Sequence, residues 1–234
     1  MKIIGVSTVK DEPEIGRTIR HMRDQGVDDF VISSAPDEHG VHVAMSAQPF
    51  GWTECAEPFD QGAEITKLAR IAADYDADWI IPFDADEYWS GTNGRTIREE
   101  LKCVDPNVDT LYARMYLHIT PERRAEMAKP LPKVIFRPRA DMTVAWGNHD
   151  VTGGTAPQFT PIMVRELQYA SYPHFLAKIE KARHLHTQPH MADHQNGSHM
   201  WRLCNLTPSE LEQEWAAHLA TPTVHDPIPG SDKW

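Results

Sequence analysis

Between residues 2 and 83 the chain alternates short β-rich apolar runs with segments of helical period, and this alternation restricts its fold more than any other feature. Residues 2–9 are β-rich; DEPEIGRTIRHMRDQG then sets Ile15, Ile19 and Met22 at i, i+4 and i+7, one face of a helix. Asp11 with Glu14 three residues on reads as its N-terminal cap and Gly26 as its stop. FVISS reads as a second strand and VHVAM as a third. Ile65, Leu68, Ile71 and Ala72 mark the inner face of a second helix ending near Asp76, and residues 79–83 form the next strand. The pattern predicts a parallel sheet with crossover helices, the Rossmann-like α/β class.

After residue 108 the pattern changes. TLYARMYLHIT, PKVIFRPRA, TVAWG and IMVRELQYA read as strands of a mixed sheet on the same core, with PERRAEMAK a short helical piece between them. SYPHFLAKIEKARHLH carries Phe175, Ile179 and Ala182 on a helical stripe. TPSELEQEWAAHL opens with Thr207 as cap, Pro208 at the first helical position and Glu210 closing a capping box. The proline-rich ending ATPTVHDPIPGSDKW reads as an extended tail.

The 234 residues suffice for a real core, no run of eighteen apolar residues spans a membrane, and MKIIGVSTVKDEPE does not read as a secretory signal; the expected location is cytoplasmic. Cys55, Cys103 and Cys204, odd in number and far apart, read as reduced thiols. A formal net charge of -11 with no basic run disfavours a nucleic-acid backbone as partner, so a bound phosphate needs local cations or a metal.

YDADWIIPFDADEYW, residues 75–89, carries Asp-Ala-Asp twice, once on each side of WIIPF. An intervening strand at ~3.3 Å per residue separates the pairs by roughly 20 Å, too far to share one metal. In open α/β sheets the ligand crevice lies beyond the carboxyl ends of the strands, where Asp84 and Asp86 stand. Asp76 and Asp78, at the strand's entry, read as turn residues. Carboxylates at i and i+2 leaving an apolar strand can converge on Mg²⁺ or Mn²⁺, which favour oxygen ligands and share their shell with phosphate. Glu87 makes the run DADE more acidic still. Pro82 cannot donate to a ladder, so the strand is expected to be bulged or partly unpaired just before Asp84.

VSTVKDEPEIGRTIRHMRDQGVDDFVISS, QGAEITKLARIAADYDADWIIPFDADEYW, KVIFRP and SYPHFLAKI together resemble the family 2-like glycosyltransferases of GT-A fold. The branch concerned carries the motifs W-(I/V)-x-x-x-D-x-D-E-(F/Y), K-x-x-x-R-P and S-x-x-x-F-x-x-K. The match runs in consistent order from residue 2 to about 202. The resemblance implies a mixed sheet flanked by helices with a C-terminal helical extension. The GT-A domain would span 1–205, with a nucleotide-binding half at 1–108 and an acceptor half at 109–205, and a helix and tail would occupy 206–234. It further implies transfer of a sugar from a nucleotide diphosphate sugar, UDP- or GDP-linked, to a hydroxyl acceptor (glycan, lipid-linked sugar, protein or modified nucleobase) with Mn²⁺ or Mg²⁺. By the same resemblance Val9, Lys10 and Glu12 line the nucleoside pocket, Ser33 and Ser34 approach base or ribose, and Asp37 matches an S-x-D acid. Lys67 either helps hold ribose or diphosphate or lies on a solvated helix face. Asp84 would contact ribose or metal, Ala85 leave room for the nucleotide, and Asp86 ligate the metal. Trp89 is either a wall for the sugar or a core residue.

In WGNHDV the resemblance makes His149 a candidate third metal ligand, with a backbone-bonded loop histidine as the alternative reading, and Trp146 a candidate acceptor or sugar contact. An inverting transferase needs a carboxylate to take the acceptor proton. Asp150 is the first candidate, Glu166 the second and Asp193 a distant third. His199, Trp201 and Arg202, in a segment resembling G-x-H-W-R, are candidates for sugar or diphosphate contact. His184, His186, His190, His194 and His199 could bind zinc, but Pro189 interrupts the helix and no cysteine assists. Among rivals, a nucleotidyltransferase calls for a basic Gly-rich loop where VKDEPE is acidic. A haloacid-type phosphatase calls for its nucleophilic Asp after the first strand, and an inactive carbohydrate-binding or assembly module is hard to square with intact Asp84, Asp86 and Glu87.

Overall fold

The computed structural model describes residues 1–9, 14–34, 51–56, 59–186 and 198–233, with the side chains of 184–186, 198–199 and 233 left aside. VHVAM, Asp11 and Asp193 lie outside these residues.

Strands β1 (Ile3–Val9), β2 (Asp29–Ser34), β3 (Gly51–Glu54) and β4 (Trp79–Pro82) are parallel in the order β3-β2-β1-β4. Period-two alternation makes both faces apolar. Ile3, Val9, Phe30, Ile32, Trp79 and Ile81 pack with helix α1 (Ile15–Asp24), while Ile4, Val6, Val31 and Ile80 pack with helix α2 (Gln61–Asp74). Helix α1 uses Ile15, Ile19 and Met22 and α2 uses Ile65, Leu68 and Ala72, the stripes expected from periodicity. Gly26, at φ 90°, follows the end of α1.

The second half extends the sheet: β8 (Lys133–Phe136) runs antiparallel to β4, β6 (Thr110–Thr120) antiparallel to β8, β9 (Pro157–Glu166) parallel to β6, and β5 (Glu87–Ser90) antiparallel to β9. Helix α3 (Ile97–Leu101) opens on a Thr96–Glu99 capping box. Helices α4 (Tyr172–His186), α5 (Ser198–Cys204) and α6 (Pro208–Leu219) enclose a separate apolar cluster around Tyr169, Phe175, Ile179, Leu203 and Leu211. The Thr207–Glu210 capping box with Pro208 forms as expected.

Three local expectations are corrected. PERRAEMAK contributes strand β7 (Arg123–Ala125), not a helix, because it pairs with β6 on one side and with β10 (Thr223–His225) on the other. Arg124 also lies 4.0 Å from the Tyr116 ring centroid and donates to Asp226 at 3.0 Å. TVAWG is not a strand: only Val144 bridges to Val151, and Gly147 (φ 76°) and Asn148 (φ 59°) turn the chain left-handed. The proline-rich ending does not trail away, since β10 closes the sheet edge and Ile228 is buried against Tyr88 and Leu167.

The first Asp-Ala-Asp is structural. Asp76, at φ 59°, follows α2 with Asp76 N donating to Ala73 O (3.0 Å) and Ala77 N to Ala72 O (3.3 Å), a Schellman closure. Asp78 accepts from the Lys2 amide at 2.5 Å and pairs with the N-terminal amine at 3.4 Å.

Candidate functional site

Pro82 determines how β4 ends. Phe83 N still donates to Val6 O (3.0 Å), so the donor that Pro82 lacks would have faced β8. The β4–β8 ladder holds only the pair Ile80–Phe136. Continuing that antiparallel register sets Phe83 opposite Lys133, at the point where the two strands stop pairing. Into this opening, at the carboxyl ends of the parallel strands, fall Asp84, Asp86 and Glu87.

Lys133 is 3% exposed, and its ammonium has three oxygens around it: Asp84 Oδ2 at 2.7 Å, Glu87 Oε1 at 2.7 Å and Gly147 O at 2.8 Å. Asp84 Oδ1 accepts from Asn148 Nδ2 at 3.2 Å and more weakly from Gln61 Nε2 at 3.5 Å, while Gln61 Oε1 accepts from Gly147 N at 3.1 Å. The other Glu87 oxygen accepts from Asp84 N (3.1 Å) and Trp89 Nε1 (3.2 Å). Asp86 pairs with Lys178 of α4 at 2.6 Å. Glu166, opposite Glu87 in the β5–β9 ladder, pairs with Lys129 at 2.6 Å. Four carboxyl groups and three ammonium groups thus form one cluster.

Burial pushes these groups about. It would raise the Asp84 carboxyl, but the Lys133 charge and hydrogen bond outweigh it and hold Asp84 below the ordinary range. Glu87 goes the other way: burial and the adjacent Asp84 raise it despite Lys133. Glu166 is likewise raised by burial and by Asp86. His149 is lowered by burial and by Lys133.

The remaining sequence-predicted residues divide by position. Val9, Ser33 and Ser34 are buried at the ends of β1 and β2, with Cys55 Sγ donating to Ser33 Oγ (3.4 Å) and Trp52 Nε1 to Ser34 Oγ (2.9 Å). Ala85 is buried, and its carbonyl accepts from the Thr18 hydroxyl of α1. Lys67 ties α2 to β3 through Glu64 Oε1 and Glu54 O, both at 3.0 Å. Trp89 is fully buried in the core. His149 has Nδ1 at 2.7 Å from Pro132 O, and Asp150 Oδ1 accepts from Tyr112 OH at 2.6 Å. Trp146 meets Phe59 edge-on, Trp201 is exposed, and Arg202 is held by Glu214 at 2.6 and 2.7 Å. Lys10, Glu12, Asp37, His190 and His194 lie outside the described residues, as do the side chains of His184, His186 and His199.

Asp84, Asp86 and Glu166 are therefore gathered in one cluster, whereas Asp150 is engaged by Tyr112. Sequence reasoning had not named Lys129, Lys133, Lys178, Gln61 or Asn148 as site residues. Lys133 and Lys178 are nonetheless the lysines of KVIFRP and SYPHFLAK. A divalent cation was expected on Asp84, Asp86 and His149. Among the described residues no three His, Cys, Asp or Glu side chains are grouped to hold a metal ion. Asp84 and Asp86 instead each pair with a lysine ammonium, at 2.7 and 2.6 Å.

No family model and no curated protein matches the chain. Similar solved structures include S. aureus TarS residues 1–349 (11% identity, 94% of this chain and 71% of that one, TM-score 0.42). HddC from Yersinia pseudotuberculosis is similar at 12% identity over 77% of this chain and 99% of its own, with TM-score 0.43. CMP:2-keto-3-deoxy-manno-octonic acid synthetase, solved with CTP, is similar at 13% identity over 58% and 74%, with TM-score 0.37. Among the described residues no helix is long and apolar enough to cross a membrane.

Proposed function

We propose that the protein is a glycosyltransferase that moves a sugar from a nucleoside diphosphate sugar to a hydroxyl acceptor. The observation that carries this reading is the convergence of Asp84, Asp86, Glu87 and Glu166 with three lysines at the carboxyl ends of the parallel strands. Such a cleft offers cations for a departing diphosphate and a carboxylate for a proton. In the reaction the acceptor oxygen bonds to the anomeric carbon as the bond from that carbon to the β-phosphate oxygen breaks. The electron pair leaves with the nucleoside diphosphate, and the hydroxyl proton passes to Glu166. Glu166 suits that role because burial and Asp86 raise its carboxyl toward the range of a useful base. Asp84, fixed by Lys133 and Asn148, suits a ribose contact.

The test is product analysis by mass spectrometry after incubation with UDP- and GDP-sugars and simple glycan acceptors. Release of nucleoside diphosphate with a glycosylated acceptor is expected, and Glu166→Gln should slow it by about 10²- to 10⁴-fold, the usual share of general base catalysis. Pyrophosphate formed from a nucleoside triphosphate and a sugar phosphate would instead establish nucleotidyl transfer.

A further inference from the structure

We infer that this site handles its diphosphate without a divalent cation: Lys133 permanently fills the cation position between Asp84 and Glu87, and Lys178 is the charge that meets the leaving phosphate. The inference rests on the transferase reading and adds to it which groups neutralise the diphosphate.

The two lysines are built differently. Lys133 sits within β8, its backbone paired with Ala113 of β6, its side chain 3% exposed and its ammonium surrounded by Asp84 Oδ2, Glu87 Oε1 and Gly147 O. An ammonium has three hydrogens: it donates to Asp84 Oδ2 at 2.7 Å and Gly147 O at 2.8 Å, and it pairs by charge with the buried Glu87 Oε1 at 2.7 Å, which has no other hydrogen-bond partner among the described residues. A dication bridging Asp84 and Glu87 would have to expel a buried charge from a socket closed by a strand and a turn, or bind beside it against repulsion. The turn is committed to this lysine as well. Gly147, at φ 76°, presents its carbonyl to Lys133, its amide donates to Gln61, and Asn148 beside it donates to Asp84. Lys133 therefore positions Asp84 and Glu87.

Lys178 stands on α4, 19% exposed, on a flexible stem, with Asp86 at 2.6 Å. A diphosphate arriving at the cleft presents oxygens to which this ammonium can turn while staying near Asp86. On this account Lys178 is the residue that touches the substrate.

The experiment titrates the whole protein with UDP, GDP, CDP and ADP by calorimetry, in EDTA and again with Mn²⁺ or Mg²⁺, for wild type and Lys178→Met. Binding of Mn²⁺ to the nucleotide-free protein is followed by its electron paramagnetic resonance signal. At least one nucleoside diphosphate is expected to bind in EDTA, with affinity unchanged by metal, and Lys178→Met is expected to weaken it about ten- to hundredfold, as loss of a charge-assisted hydrogen bond does. Circular dichroism confirms that this variant of a largely covered side chain folds. Affinity rising about tenfold or more with Mn²⁺, or Mn²⁺ bound tightly by the nucleotide-free protein, would overturn the inference and leave the transferase reading intact. Wild-type affinity in Lys178→Met would remove that lysine from the role. Failure of every nucleoside diphosphate to bind, with or without metal, would overturn the transferase reading itself.

Discussion

Replacing Lys133 by methionine keeps the length of the side chain and removes the charge that Asp84 and Glu87 share. Each of the two carboxylate oxygens lies 2.7 Å from the ammonium. At an effective dielectric of about 20 the contact with ionised Asp84 is worth roughly 6 kcal/mol of gross Coulomb attraction, and the contact with Glu87 reaches the same size only once pH passes its raised value of about 8. Burying the ammonium costs several kcal/mol, so the net loss on removing one partner should be about 3–5 kcal/mol, the usual cost of leaving buried charge uncompensated. That is a large part of the 5–15 kcal/mol that ordinarily holds a domain together. The loss should also depend on pH. Burial and Asp84 already raise the Glu87 carboxyl with Lys133 present, and without it Glu87 should rise further. A group raised in the folded state stabilises fully below its unfolded value, here near 4.5, and that contribution fades as pH climbs through the folded value. Lys133→Met should therefore lose less stability near pH 5.5 than near pH 8. Adding Glu87→Gln should restore part of the difference at pH 8, because the neutral amide no longer repels Asp84. Urea unfolding followed by circular dichroism at both pH values measures this. A loss below about 1 kcal/mol, or one equal at the two pH values, would refute the picture of a buried ammonium holding two carboxylates together.

Two further outcomes follow from the same reasoning. His118 is buried, its Nδ1 lies 3.1 Å from Thr120 O, and its Nε2 has no hydrogen-bond partner among the described residues; burial pushes it down to about 4. It is neutral in the folded state and charges more readily in the unfolded chain, so stability should fall by roughly 2–3 kcal/mol as pH drops from about 6.5 toward 4. His118→Gln should flatten that slope in urea titrations; an unchanged slope would assign the acid sensitivity elsewhere. Asp76→Gly should raise stability by about 0.5–1 kcal/mol, because glycine takes the left-handed conformation at φ 59° with no Cβ penalty; a lower unfolding midpoint would contradict the Schellman assignment.

The helix stripes and the polarity of β4 were legible because they depend on local period. Once 79–82 is a parallel strand, one Asp-Ala-Asp must stand at its entry and the other at its exit. The Thr207–Glu210 cap was legible for the same reason, and Thr96–Glu99 carries the same signal before α3. β7 was not legible: Glu122, Ala125 and Met127 favour helix, and partners from β6 and β10 override that preference. The site shows the same division. Asp84 and Asp86 could be placed by strand polarity, while Lys133 and Lys178 reach them across 49 and 92 residues and carry no local mark of the pairing. Asn148 could be found only after the left-handed turn at Gly147 was known.

The last strand has a consequence for the order in which the molecule can be completed. His21 of α1 has its two ring nitrogens 2.7 Å from Trp89 O and 3.2 Å from Pro229 O, the latter contact spanning 208 positions of the chain. Asp226 receives Arg124 and Arg165 at 3.0 Å each, and Arg165 also donates to Ser90. A growing chain thus exposes α1, β5 and the open edge of β7 well before the segment that covers them is synthesised. Contacts so distant in sequence form slowly, and an uncovered strand edge invites pairing with other chains in the interval. During synthesis the vulnerable surface is therefore the β7 edge rather than the acidic cleft.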